Sequence, residues 1–337
     1  MSLTSKSPQD VAREALAVGT AALALYSHKF SPKTFTQPQL LACLVLRKFY
    51  KTDYRGMAAI LRDHSDLREI LGLSKVPHFT TLQKASVRLL ARPRFRKLLA
   101  GTLRRALGRK KALPHAACDS SGLACGHASR YYVRRRAAGQ DKAEKPAQET
   151  FYQCYAKLEA VFDTATHLVV GALVGKGPAP DVDRMVPLID EACRQVRMKL
   201  LVADAGYDSE ANHLYARKTC GIRTLMPAKH GRRSHKPPSG YWRRRMRTAL
   251  ATKAQRQRSG YSRRSQAETA FSMIKRRQGE AVAARTFNNQ CLELCLMVIT
   301  HNVMICFIGR FSTEPVGSHF SCHLFDRQKQ WRKIVNQ

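Results

Sequence analysis

Acidic side chains are scarce in this chain. Its 24 Asp plus Glu face 59 Lys plus Arg, a formal net charge of +35. Such an imbalance costs self-repulsion in a compact state, so a polyanionic partner is expected. The cations fall in several clusters along the chain, which favours nucleic acid. A basic amphipathic helix with a rich aromatic face is missing, which argues against a membrane-surface role. Cysteine pairing is missing too. The ten cysteines occur singly, and MSLTSKSPQD at the start has no signal-peptide pattern, so a reducing, cytoplasmic setting is expected. Cys118, Cys125 and His127, or Cys291 and Cys295, form no paired ligand motifs at finger-like spacing, which sets zinc aside in favour of reduced, buried cysteines. The longest apolar run, 291–308, is broken by Glu293, His301 and Asn302 and reads as a buried core helix, with no membrane span. No internal repeat is present.

At 337 residues there is ample length for a core and for one large or two ordinary domains. The front is helical. Helices are expected over 11–25, after the Thr36-Gln37-Pro38 cap signal, over 54–64, over 65–71 ending at Gly72, and after His78-Phe79-Thr80-Thr81. Residues 92–111 hold nine Lys or Arg and no acid, a basic helix leading to a domain boundary near 112. Beyond it, short strands are expected around Asp119, over 155–162 and over 167–174, the last two joined as a hairpin by the turn 163–166. A helix over 183–198, a strand over 199–204, a helix over 209–220 and a strand over 222–226 follow. This order predicts an α/β fold with a mixed sheet, preceded by an all-helical module.

The stretch 261–275 reads YSRRSQAETAFSMIK. It follows Ser259-Gly260 and has no Gly or Pro until Gly279, which predicts a helix. At roughly 100° per residue, Tyr261, Arg264, Glu268 and Lys275 share roughly a 60° stripe. Ala267, Ala270, Phe271 and Ile274 form the neighbouring apolar stripe. Taken alone, this is an i,i+4 salt-bridged surface helix. Asp119 on the first strand and Asp204 at the end of a later one change the reading, because active residues in α/β sheets gather at strand ends. Each aspartate also has a plainer use, capping a turn with Ser120 or with Gly206. Asp208 rivals Asp204 as second acid and is placed to cap the next helix instead. Three converging carboxylates repel unless divalent cations sit between them, and hard oxygen donors favour magnesium or manganese. A pair of such ions serves phosphodiester displacement.

These residues carry a resemblance. Tyr261, Arg264, Glu268 and Lys275 match the Y-x2-R-x3-E-x6-K signature of insertion-sequence DDE transposases with a ribonuclease-H-like catalytic domain. CDSSG around Asp119 and ADAGYDS from 203 to 209 resemble that family's first and second aspartate blocks, and the likeness covers roughly 35–305. It implies a metal-binding catalytic triad of Asp119, Asp204 and Glu268, with Tyr261, Arg264 and Lys275 on DNA near the cleaved bond. It also implies end cleavage, strand transfer by a 3′-hydroxyl, double-stranded DNA ends and target as partners, and a homodimer holding two ends on prokaryotic nucleoid DNA. The expected divisions are 1–111 for the helical DNA-binding or dimerising module, 112–310 for the catalytic domain and 311–337 for a basic tail.

Inside the catalytic domain, 227–260 reads as a DNA-contacting insertion. Residues 229–264 hold thirteen Lys or Arg and no acid. Arg243, Arg244 and Arg245 are its phosphate candidates, and Trp242 is either a base-stacking residue or a hydrophobic anchor. Two other functions fit the same residues. One is a structure-selective nuclease without strand transfer, and the other a non-catalytic DNA-binding protein descended from a transposase.

Overall fold

A computed structural model describes residues 4–108, 112–125, 155–229 and 237–311, the last five of these by backbone alone. Residues 130–148 and the 312–337 tail lie outside the described residues.

Six helices come first: α1 (Pro8–Ala22), α2 (Gln37–Phe49), α3 (Tyr54–Asp63), α4 (Ser65–Leu71), α5 (Phe79–Leu90) and α6 (Arg92–Leu107). Their boundaries follow from capping chemistry. Thr36 and Gln39 form a reciprocal capping box at the start of α2, with Pro38 in its first turn. Gly72 ends α4 in the left-handed conformation at φ 61°. α1 starts earlier than expected because Ser7 accepts the Asp10 amide and Pro8 opens the helix.

The sheet follows. β1 (Ala112–Cys125) lies at its centre, antiparallel to β2 (Tyr155–Asp163), which pairs antiparallel with β3 (Val169–Gly177). On its other side β1 runs parallel to β4 (Arg197–Val202), and β4 parallel to β5 (Arg223–Leu225). The order is β3-β2-β1-β4-β5, with β6 (Ala281–Val282) paired to the far end of β1. This is an α/β fold with a mixed sheet behind a helical front.

α7 (Met185–Cys193) packs on the sheet at Gly171, where an added Cβ would lie 2.8 Å from Ala192, so only glycine permits the approach. The helix expected to run on to 198 stops at Cys193, because residues from Arg197 onward pair with β1 instead. The next helix, α8 (Glu210–Leu214), opens into a wider π turn over Tyr215–Thr219. α9 (Tyr241–Ala249) and α10 (Lys253–Ser259) occupy the insertion, and α11 (Ser265–Gln278) and α12 (Phe287–Phe311) complete the chain.

α12 joins front and sheet into one continuous apolar core running from Val11 to Cys306. Lys48 Nζ in α2 donates to Glu293 Oε1 at 2.8 Å, both side chains being buried. Asn302 bonds the Val169 amide and carbonyl in β3, each at 2.9 Å, and Thr102 Oγ1 in α6 at 3.1 Å. His301 Nε2 meets the His167 carbonyl at 2.9 Å, and burial pushes its imidazole down to about 4, so it is neutral at pH 7. Phe287–Cys306 is long and apolar enough to cross a membrane, but 83% of that window is buried inside the protein.

Candidate active site

Asp119 sits on β1 opposite Ala160 and two positions beyond the Ala117↔Val202 pairing with β4. Parallel pairing therefore carries Asp204, two residues past the end of β4, to the same level. Each aspartate commits one oxygen to a nearby amide. Asp119 Oδ1 accepts from Ser120 N at 2.8 Å, and Asp204 Oδ1 from Gly206 N at 2.8 Å. The plain capping uses foreseen for both are thus present, and both leave a second oxygen.

Glu268 comes from the first turn of α11, which docks on β2 through an edge-to-face contact of Phe271 and Phe162, centroids 5.0 Å apart. The expected single helix over 261–275 is corrected here. Tyr261–Arg264 is a 3-10 turn after left-handed Gly260, and the α-helix begins at Ser265. Tighter winding shifts Tyr261 and Arg264 off a strict 100° projection. Even so, Arg264 Nη2 reaches Glu268 Oε1 at 2.5 Å. Glu268 is not semi-buried: its side chain is 54% exposed.

Asp119, Ser120, Glu268, Lys275 and Arg276 line an open cleft of about 320 Å³, and Asp204 is not among its lining residues. Burial pushes Asp119 up to about 6; its bond from Ser120 opposes this, Asp204 and Glu268 add to it, and Arg264 counters them. Asp119 therefore lies within the fields of both other acids. Tyr261 is also raised, mainly by burial, and lies within the fields of Arg264, Asp204 and Glu268. Burial works to lower Arg264, but its bond to Glu268 outweighs this and holds it above its usual value.

Among the described residues, no three acidic, histidine or cysteine side chains stand close enough to hold an ion as they are. The donor chemistry still fits a hard divalent cation: three carboxylates, one of them made hard to ionise mainly by burial. Glu268 would have to turn away from Arg264 to complete the set.

Asp208 has a different use from the one expected. Ser209, not Asp208, caps α8 by accepting the Asn212 amide. Asp208 is buried, and its Oδ2 receives both Lys229 N and Arg243 Nε, each at 2.8 Å. Burial works to raise it, but His213, the Lys229 amide and Arg243 hold it below the usual carboxylate range.

Within the insertion, Arg243 therefore points inward. Arg244 and Arg245 are exposed, Arg245 bonding Tyr241 Oη at 2.8 Å. Trp242 is half-buried, with the Arg217 guanidinium 3.9 Å from its ring centroid. Glu210 accepts the Trp242 and Arg243 amides and so caps α9 from a distant helix. Gly240 fits there at φ 95°, since a Cβ would fall 2.2 Å from the Glu210 carboxylate.

Sequence reasoning missed a group beside Asp204. Lys157 Nζ pairs with Asp181 at 2.7 Å, and Arg184 Nε with buried Glu159 at 2.8 Å. A Cβ on Gly206 would crowd both Asp204 and Asp181, so the two carboxylates flank the same glycine. The fully buried Tyr207 hydroxyl has no partner among the described residues. The available signal was Lys157 and Glu159 alternating within an otherwise apolar strand, where buried charges need partners.

Fold and cleft together define an α/β protein with an acidic centre in a strongly cationic chain. Residues 110–303 match the family model described as a transposase DDE domain, and the chain belongs to that family. It is also similar to the transposase of a cryo-EM piggyBac transposase synaptic complex with hairpin DNA. That similarity is 10% in identity over 94% of this chain and 76% of the other, with a TM-score of 0.47.

Proposed function

We propose that this transposase cleaves phosphodiester bonds at the ends of its element and joins the freed 3′-hydroxyl to target DNA. The observation that carries the reading is the approach of Asp119, Asp204 and Glu268 from three separate elements, with Asp119 hard to ionise, in a chain of +35 net charge. Magnesium or manganese, a pair of ions when bound, supplies positive charge for the attacking and leaving oxygens.

The chain's own residues do the rest. Asp119 and Asp204 present their free oxygens from fixed positions. Glu268 would help hold the cation if it turned from Arg264, and Arg264 would then be available to a DNA phosphate. Lys275, about two turns along the same stripe, and Tyr261 hold the backbone near the reacting bond. Joining forms one phosphorus–oxygen bond as another breaks, so no high-energy cofactor is needed. Arg244 and Arg245 extend the phosphate track. We place this activity in the cytoplasm of a prokaryote, in a dimer holding two ends.

The test is cleavage and joining of a labelled element end with Mg²⁺, Mn²⁺ or EDTA, for wild type and for Asp119→Ala, Asp204→Ala and Glu268→Ala. Metal-dependent nicking and joining by wild type alone supports the reading. A pre-cut end that is never joined leaves a structure-selective nuclease. Binding with no metal-dependent chemistry leaves a DNA-binding descendant of a transposase.

A further inference from the structure

His167 is a non-glycine residue in the left-handed region, at φ 62°. That conformation is uncommon outside glycine, although asparagine, aspartate and histidine adopt it more often than other residues, and surrounding structure must impose it. Here the imposition is visible. The His167 amide donates to the Asp163 carbonyl at 2.9 Å, the His167 carbonyl accepts His301, and Asn302 holds Val169 two residues on. Asp163 also accepts Ala165 N and Thr166 Oγ1, closing the hairpin turn on itself.

A turn fixed from so many sides presents one side chain outward to a second element. His167 is buried, and its Nε2 meets Gln266 Oε1 at 2.8 Å. Gln266 stands two residues before Glu268, about 200° around the helix. A bond at 266 therefore holds the opposite face of α11 from the one that carries the acid. The buried apolar residue nearest Glu268 around the helix is Phe271, which packs on Phe162, and Gln266 adds a polar link to the sheet on the opposite face. A second contact lies just upstream, where Arg263 Nη1 meets His115 Nδ1 at 3.0 Å.

We infer that His167 is a positioning residue that sets the rotation of α11, and with it the direction of Glu268, through Gln266. This rests on the proposal that Glu268 is catalytic. The His167 side chain meets Gln266 and not Asp119, Asp204 or Glu268 among the described residues. It transmits the rigidity of the β2–β3 turn and of α12 to the first turn of the catalytic helix.

The experiment uses the full chain with His167→Asn, Gln266→Leu and the double variant. Asparagine tolerates the left-handed backbone and leaves the turn's main-chain bonds intact, but its side chain is too short to reach Gln266. Hydrogen exchange of the 265–270 amides is measured without DNA, and end cleavage is measured at saturating Mn²⁺ and DNA. The expected result is faster exchange confined to the start of α11, with the cleavage rate down roughly tenfold and DNA affinity unchanged. The double variant should be no worse than either single one, because both remove the same link.

Unchanged exchange at 265–270 overturns the inference whatever the activity. So does faster exchange with wild-type cleavage, or additive losses in the double variant. If wild type cleaves no DNA, the proposed chemistry fails separately, and the exchange arm still decides whether His167 holds α11.

Discussion

Asp208 Oδ2 receives the Lys229 amide and the Arg243 guanidinium at once, each across 2.8 Å. One buried oxygen thus ties Lys229, at the start of the cationic segment, to Arg243 in its middle. The acid lies four residues after Asp204, so the cationic segment is fastened to the loop bearing a catalytic candidate.

Asp208→Asn should weaken that fastening without touching the cleft. The expected cost is about 1–3 kcal/mol in chemical unfolding, from a buried charge-assisted bond. DNA affinity should fall, with end cleavage preserved at saturating DNA. Loss of cleavage at saturation, with affinity intact, would instead make Asp208 the second catalytic acid.

Trp242 is predicted to act as an anchor. Arg217 covers a face of its ring, so Trp242→Ala should lower stability by about 1 kcal/mol and leave affinity for single-stranded DNA unchanged. A fall in that affinity worth about 1–3 kcal/mol would restore base stacking.

Asp119 yields a prediction with a definite sign. Its folded value of about 6 lies above the ordinary 3.8, so the folded state holds the proton more tightly. The resulting stabilisation is complete below pH 3.8 and is lost as pH rises through 6. Asp119→Asn in EDTA should therefore be more stable than wild type at pH 7.5, by on the order of 1–2 kcal/mol after solvent screening, and the gain should vanish near pH 4. Mn²⁺ should stabilise wild type and not the variant. A wild type that is the more stable of the two at pH 7.5 in EDTA would refute the crowded-acid account.

The helical front and the sheet should unfold together. They share one core, and Lys48 to Glu293 is a buried pair between them, so calorimetry should give a single transition with matching calorimetric and van't Hoff enthalpies. Lys48→Met strands Glu293 and should cost about 3–5 kcal/mol. Two resolved transitions would show that the front is an independent domain.

What the sequence made legible was chemistry confined to a few neighbouring residues. The Thr36–Gln39 cap, the Gly72 stop and the β2–β3 hairpin are written locally and were placed within a few residues. Asp119 falls on its expected strand, while Asp204, expected to end a strand, lies two residues past β4. The insertion helices were not, because α9 has few apolar anchors and takes its cap from Glu210, 32 residues from Trp242. The start of β4 was misread for a similar reason: pairing with β1 decides it. His167 gave no signal at all, since its role depends on a φ value and on a partner 99 residues away.

Asn302 has a consequence at the margin of the sheet. β3 is the last strand in the order, and such a strand offers bare amides and carbonyls to any extended segment that drifts past. At Val169 both groups are already taken by one carboxamide, which donates and accepts as a neighbouring strand would. A helix thereby counterfeits the missing strand, and the first rung of that edge is closed to the intermolecular pairing that begins aggregation.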